Sequence, residues 1–344
     1  MVTIGQYIAA VIWPLQILRF VAALMVVYVH AAQLSVKETG SYGLFPPELP
    51  LAGQAGVDIF FVISGVIIAK TAVGLSWQEF AWKRFRRIIP FYFIICTFAL
   101  LIVARSGTAI TWRDLLATFF LWPATDAMTL PLLPVAWTLC YEALFYGAAA
   151  LVLADRRWLF PALGLFVAAM ALRQHGAVFQ FLGNPLIIEF LFGVAIAQAS
   201  AFQQARWGIP LGAALLIGAG FFDLAPFGNS LEYLRGEEAF QRVAVYGLPA
   251  ALIVWGSMQF KGRESVWTRQ GDASYALYLT HSLFMPMFFL LWKVIPLPTD
   301  LIIVISMAVS AFFGWRIHLA IEMPVLNALR GQRKPALVRS GGAD

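Results

Sequence analysis

Apolar runs of 18 or more residues recur along the whole length of this chain, and a run of that length with few charges reads as a membrane-spanning helix. Several of them must cross a bilayer. Composition agrees: 61% of the residues are hydrophobic and 12% charged, against about 25% charged in an ordinary soluble domain. The candidate spans are about 10–33, 52–72, 88–105, 135–154, 158–172, 180–200, 208–223, 242–260, 272–292 and 300–319. The expected fold is an all-α integral membrane bundle of about ten transmembrane helices.

One further segment, LLATFFLW (115–122), is apolar but much shorter than the roughly 20 residues a crossing needs. Charge bias arbitrates. Ten spans with both termini in the cytoplasm place 15 of the 24 Lys and Arg residues inside and seven outside, with Arg19 and Arg316 within the membrane. Counting 115–122 as a span inverts everything after it and leaves 9 inside against 13 outside. The positive-inside rule rejects that arrangement. Residues 107–134 are then an outward-facing region with a re-entrant or interfacial helix near 115–122. Residues 1–322 form the polytopic membrane domain, and 323–344 a basic, disordered cytoplasmic tail.

The net charge of +6 does not point to nucleic acid, because surplus Lys and Arg are what cytoplasmic loops carry. Cys96 and Cys140 sit in apolar surroundings and read as small core residues, neither a disulfide framework nor a metal site. The opening MVTIGQYIAA lacks a basic n-region and Arg19 interrupts any signal-peptide core, so the first apolar segment stays in the mature chain. No inverted repeat of the transporter kind is visible.

Charges inside a bilayer cost at least about 2.5–3.5 kcal/mol each, so each asks for a partner or a task. On this topology they fall into two layers. Near the outer ends stand His30, Asp58 in GVDIFF, Glu142 in WTLCYE and Glu189; near the inner face stand Arg19, the KRFRR cluster (83–87) and Arg316; His281 lies at mid-depth. In LRFVAALMVVYVH (18–30), Arg19 and His30 are eleven residues apart, about 1100° around a helix. That is roughly 20° past three full turns, so they share a face, about 16 Å apart along the axis. Arg84 and Arg87 share a face at the cytoplasmic edge. One face thus presents fixed cations below and an imidazole above, which suits a ligand with an anionic end in the cytoplasm and a reactive end deeper in the membrane. Asp58 and Glu142 are helix-start charges or the carboxylates that fix the tautomer of a histidine base. Transfer chemistry fits this constellation better than proton-coupled transport, which does not require the inner cations.

With these residues laid out, the chain resembles the membrane-bound acyltransferase 3 family. The matching pieces are R-x10-H in LRFVAALMVVYVH, GVDIFFVISGVIIA (56–69), FAWKRFRRIIPFY with its R-x-x-R (Arg84, Arg87), WTLCYEALFY (137–146), ASYALYLTHSLF (273–284) and EMP (322–324). They cover nearly the whole chain in the expected order, and the overall look is closest to the exopolysaccharide acetyltransferase branch. In WTLCYE a cysteine replaces the family's serine, so that position holds no essential hydroxyl nucleophile. The extracytoplasmic hydrolase-like domain often seen in the family is missing, which points away from peptidoglycan.

The resemblance implies a bacterial inner-membrane O-acyltransferase that takes an acyl group, usually acetyl, from cytoplasmic acyl-CoA to a hydroxyl of a surface or exported glycan. By matching motif positions, Arg19, Arg84 and Arg87 are donor-binding cations and His30 is the catalytic histidine, oriented by Glu142 or Asp58. The implied partners are the lipid bilayer, acyl-CoA, a glycan or lipid-linked saccharide and polysaccharide assembly proteins; no metal and no nucleic acid enter. The competing classes are a proton-coupled transporter or flippase of a glycan precursor, and a non-catalytic assembly subunit.

Overall fold

The computed structural model describes residues 4–199, 205–224, 228–292 and 297–330. Every regular element among them is a helix. Strand-like pairing is confined to an isolated bridge between Ala124 and Met128.

Seven helices are long and apolar enough to cross a membrane: Trp13–Thr39, Glu48–Thr71, Trp77–Arg105, Pro134–Ala154, Ala177–Gln198, Ala239–Ser257 and Thr299–Leu329. The chain is a multi-pass membrane protein. The other three expected spans are helical too, as Leu159–Ala171, Gly208–Phe221 and Ser274–Trp292, of 13, 14 and 19 residues. At 1.5 Å per residue, the two shorter ones reach only about 20 Å, against a hydrocarbon core of about 30 Å.

Two helices overrun their expected limits. The opening helix runs Ile4–Thr39, so His30 lies nine residues before its end rather than at its tip. The third expected span begins not at 88 but at Trp77, behind a capping box in which Ser76 and Glu79 satisfy each other's backbone N–H groups. KRFRR is therefore part of that helix, which fixes Arg84 and Arg87 one turn apart.

Segment 115–122 is an eight-residue helix, Trp112–Phe119, started by a Thr111–Asp114 capping box and followed by Leu121 at a φ of 54°. About 12 Å of helix cannot cross a bilayer. It is stitched in place instead: Tyr92 Oη donates to the Thr118 carbonyl at 2.8 Å, Leu132 N donates to Thr118 Oγ1 at 2.9 Å, and Arg113 pairs with Asp126.

Close packing is set by small residues, as it must be where lipid offers no hydrophobic drive to association. A Cβ on Gly65 would collide with the Phe190 carbonyl, and one on Gly193 with the Val62 carbonyl. Helices Ala55–Thr71 and Ile187–Gln198 therefore touch backbone to backbone. Likewise Gly271 lies on the Gln16 carbonyl, which lays the short helix Val266–Asp272 across the opening helix beside Arg19. Two π-helical turns interrupt the bundle, Val243–Gly247 and His318–Glu322; such turns concentrate at functional sites. The second leads into Met323–Arg330, where Leu326 is buried. The rest of the expected tail, 331–344, lies outside the described residues.

Candidate active site

The KRFRR end of the bundle encloses a cavity of about 910 Å³. Six Lys and Arg side chains line it (Arg19, Lys83, Arg84, Arg86, Arg87 and Arg269) against two carboxylates, Glu142 and Asp272. That imbalance makes it an anion site.

Its three central arginines are held differently. Arg19 makes no hydrogen bond or ion pair among the described residues although it sits well inside the opening helix. Arg84 donates to Thr71 Oγ1 and lies over the rings of Phe80 and Tyr146 at 5.4 and 5.6 Å. Its Nε is buried without a partner. Arg87 is ion-paired at 2.6 Å to the fully buried Glu322, whose other oxygen accepts from His318 Nδ1 at 2.8 Å. Gln16 Nε2 donates to Asp272 at 2.9 Å across the floor. Guanidinium groups left with free donors in a dry site bind phosphate or carboxylate strongly.

On the far wall Tyr278 and Thr138 close the cavity, with Tyr278 Oη donating to the Val135 carbonyl at 2.8 Å and standing 3.0 Å from Thr138 Oγ1. Behind Tyr278 stands His281, ring centroids 6.1 Å apart, and behind His281 stands His30, at 5.2 Å. His30 does not line the cavity itself; it is joined to it through that ring chain.

Arg19, Arg84, Arg87 and Glu142 thus converge on one cavity. The sequence puts Asp58 and Glu142 in one layer with His30, and here the structure differs. Asp58 is buried in an ion pair with Arg242, which donates to its two oxygens at 3.0 and 2.7 Å and lies over the Tyr233 ring at 4.2 Å. Glu142 accepts from Ser64 Oγ at 3.0 Å and from Tyr146 Oη, facing the cations rather than the imidazole. A carboxylate sealed from water takes the strongest donor within reach, and for Asp58 that donor is Arg242. Glu189 is fully buried and packs against Gly247 on the π-turn that follows Arg242.

His318 and Arg242 escape a local reading of the sequence. The i, i+4 spacing of H-L-A-I-E (318–322) just before EMP is the signal that finds the first. Arg242 looks like a loop cation at the mouth of a span. Cys96 and Cys140 are free and buried. Among the described residues no group of three or more His, Cys, Asp or Glu side chains is placed to hold a metal ion.

Comparison with known proteins bears on this geometry. The family model described as an acyltransferase domain matches residues 13–317. The chain is 28% identical over 313 residues, 83% of its length and 93% of the relative's, to the exopolysaccharide production protein ExoZ of Rhizobium meliloti (strain 1021). No solved structure matches it. A match running from the opening helix through Arg19, His30, the R-x-x-R pair and His281 to Ile317 leaves one assignment: the chain belongs to the membrane-bound acyltransferase 3 family and is an O-acyltransferase.

Proposed function

We propose that this enzyme transfers an acyl group, acetyl in the first instance, from cytoplasmic acyl-CoA to a hydroxyl of an exported polysaccharide at the bacterial inner membrane. The observation that carries this reading is the cavity of six cations against two carboxylates, joined to a histidine pair through Tyr278. CoA brings a diphosphate and a third phosphate to such a site, and Arg19, Arg84 and Arg87 grip them. The pantetheine arm carries the thioester toward Tyr278 and the histidines. The name of the ExoZ relative supports an exopolysaccharide as acceptor.

In the transfer, His30 takes the proton of the sugar hydroxyl as its oxygen attacks the thioester carbonyl. The C–S bond breaks as the C–O bond forms, and the departing thiolate takes the proton back from the imidazolium. General-base assistance of this kind is worth about 10²–10⁴ in rate. The surrounding apolar walls keep bulk water from the thioester. The topology that goes with this has ten crossings, both termini in the cytoplasm, residues 107–134 facing outward, and 1–322 as the membrane domain ahead of a basic cytoplasmic tail.

The test is transfer of radiolabel from acetyl-CoA to polysaccharide in membranes. His30→Ala is expected to lower transfer by about 10² or more, and full transfer by that variant removes His30 as the base. Arg84→Ala with Arg87→Ala is expected to weaken acetyl-CoA binding by at least about tenfold, since hydrogen bonds to charged groups are worth roughly 1.5–3 kcal/mol. Unchanged affinity returns the cluster to a topological role. A wild type that consumes no acetyl-CoA while glycan still crosses the membrane is a transporter.

A further inference from the structure

A histidine base needs a second group to hold its other ring nitrogen, and that group is usually a carboxylate. In this chain the nearby carboxylates are engaged elsewhere: Asp58 with Arg242, Glu142 with Ser64 and Tyr146. The ring of His30 makes no hydrogen bond among the described residues. It adjoins His281, at 5.2 Å between centroids and 36° between planes. Subtracting the two ring radii leaves about 3 Å from nitrogen to nitrogen once the rings point at each other, a hydrogen-bond length.

His281 is built to be an acceptor there. Its Nδ1 lies 3.2 Å from the Leu277 carbonyl one turn back, and a carbonyl only accepts, so Nδ1 carries the hydrogen. The neutral ring then has a bare lone pair at Nε2. That nitrogen is buried and unpartnered, a costly arrangement unless something is meant to meet it. The ring cannot turn away, because Nδ1 is anchored and Tyr278 packs against its face. Tyr278 is itself pinned by Val135 and Thr138.

We propose that His281 is the positioning residue for His30. Its Nε2 accepts the N–H of His30, fixes the tautomer, and turns the lone pair of the other His30 nitrogen toward the sugar hydroxyl. It does the work of the carboxylate in a more familiar dyad without placing a negative charge in the membrane. His281 touches neither donor nor acceptor; it acts through His30. This rests on the reading of His30 as the base.

Three variants of the full-length enzyme in membranes test it, with kcat, KM for acetyl-CoA and acetyl-CoA affinity as readouts. His281→Phe keeps an aromatic ring and removes the acceptor, and is expected to lower kcat by about 10², the scale of a displaced base, with KM and affinity within about twofold. His281→Gln restores a carbonyl oxygen near the site of Nε2 and is expected to recover kcat to within about tenfold of wild type, since an orienting acceptor need not take a proton. His30→Ala is expected to be inactive in the same assay. If His281→Phe keeps kcat within twofold while His30→Ala is dead, the positioning role is wrong and the base reading stands. Equal loss in the Phe and Gln variants overturns the proposal as well, because His281 then moves a proton itself or serves packing alone. Full transfer by His30→Ala is the distinct failure of the base reading. Should the Phe variant lose acetyl-CoA affinity and so be misfolded, the Gln variant decides: kcat above a tenth of wild type supports the proposal and a lower value ends it.

Discussion

Arg19 and Arg242 are both cations inside a membrane protein, and they predict opposite things. Arg242 is 1% exposed and its partner Asp58 is fully buried. Removing one member of such a pair strands the other, at a cost of about 3–5 kcal/mol. Asp58→Asn is therefore expected to lower thermal stability in detergent sharply while acetyl-CoA affinity in the surviving folded fraction stays unchanged. Arg19 has no partner to strand, so Arg19→Ala is expected to leave the melting temperature at or above wild type and to raise KM for acetyl-CoA at least about tenfold. A melting temperature that falls for Arg19→Ala and holds for Asp58→Asn would reverse both roles. How much of this was legible in the sequence depends on range. Arg19, Arg84 and Arg87 are legible because helical spacing alone puts charges on one face, and charge in lipid asks for a ligand. The Arg242–Asp58 pair is not, because its members are 184 residues apart and nothing in local periodicity tells which helices will touch. His30 and His281 were separable into two depths for the same reason, until the opening helix proved to run on to Thr39.

At the scale of elements, the bundle depends on helices approaching to backbone contact. Gly65 and Gly193 allow Ala55–Thr71 to lie against Ile187–Gln198 beneath the ring pair Phe61–Phe190, whose centroids are 4.7 Å apart. A methyl group on Gly65 meets a carbonyl, which cannot give way as a flexible side-chain end can. Gly65→Ala is expected to cost about 1–3 kcal/mol of stability, read as a fall in melting temperature and in the yield of monodisperse protein. Gly147, in the Trp137–Ala154 helix, has open space where its Cβ would stand, and Gly147→Ala is expected to be neutral or stabilising by up to about 1 kcal/mol. Equal behaviour of the two variants would mean that close helix approach is not what Gly65 provides. The existence of these helices was readable from apolar length; their true starts were less so. Ser76–Glu79 is a start signal lying eleven residues before the oily run it serves, across a stretch too charged to look like membrane.

For the molecule as a whole, the proposed orientation is open to a simple reading of sidedness. Both native cysteines are buried and unpaired, so a wild-type background should stay quiet toward a membrane-impermeant thiol reagent. Thr108→Cys, in the outward region, is expected to label in cells whose inner membrane is intact. Val73→Cys is 79% exposed as valine and sits in the turn before KRFRR, and it is expected to label only after that membrane is opened. The reverse pattern would turn the donor cavity away from the cytoplasm and remove acyl-CoA as its ligand. The overall class, a helical membrane bundle with a basic inner rim, follows from composition and charge bias. The number of crossings does not, because helices of 13 and 14 residues lie between a span and a surface element.

The π-helical turn at His318–Glu322 makes the end of the chain sensitive to reading length rather than to residue type. A π-turn holds one residue more than the α-turn it replaces, so losing a single codon at Ala320 lets the helix run through in α-register. Everything after it then rotates by about 100°. Leu326 leaves the cavity wall, Glu322 swings off Arg87, and the donor grip opens without any of its arginines having changed. A one-residue gap at this turn is the small lesion by which a relative of this enzyme could keep every motif and lose its substrate.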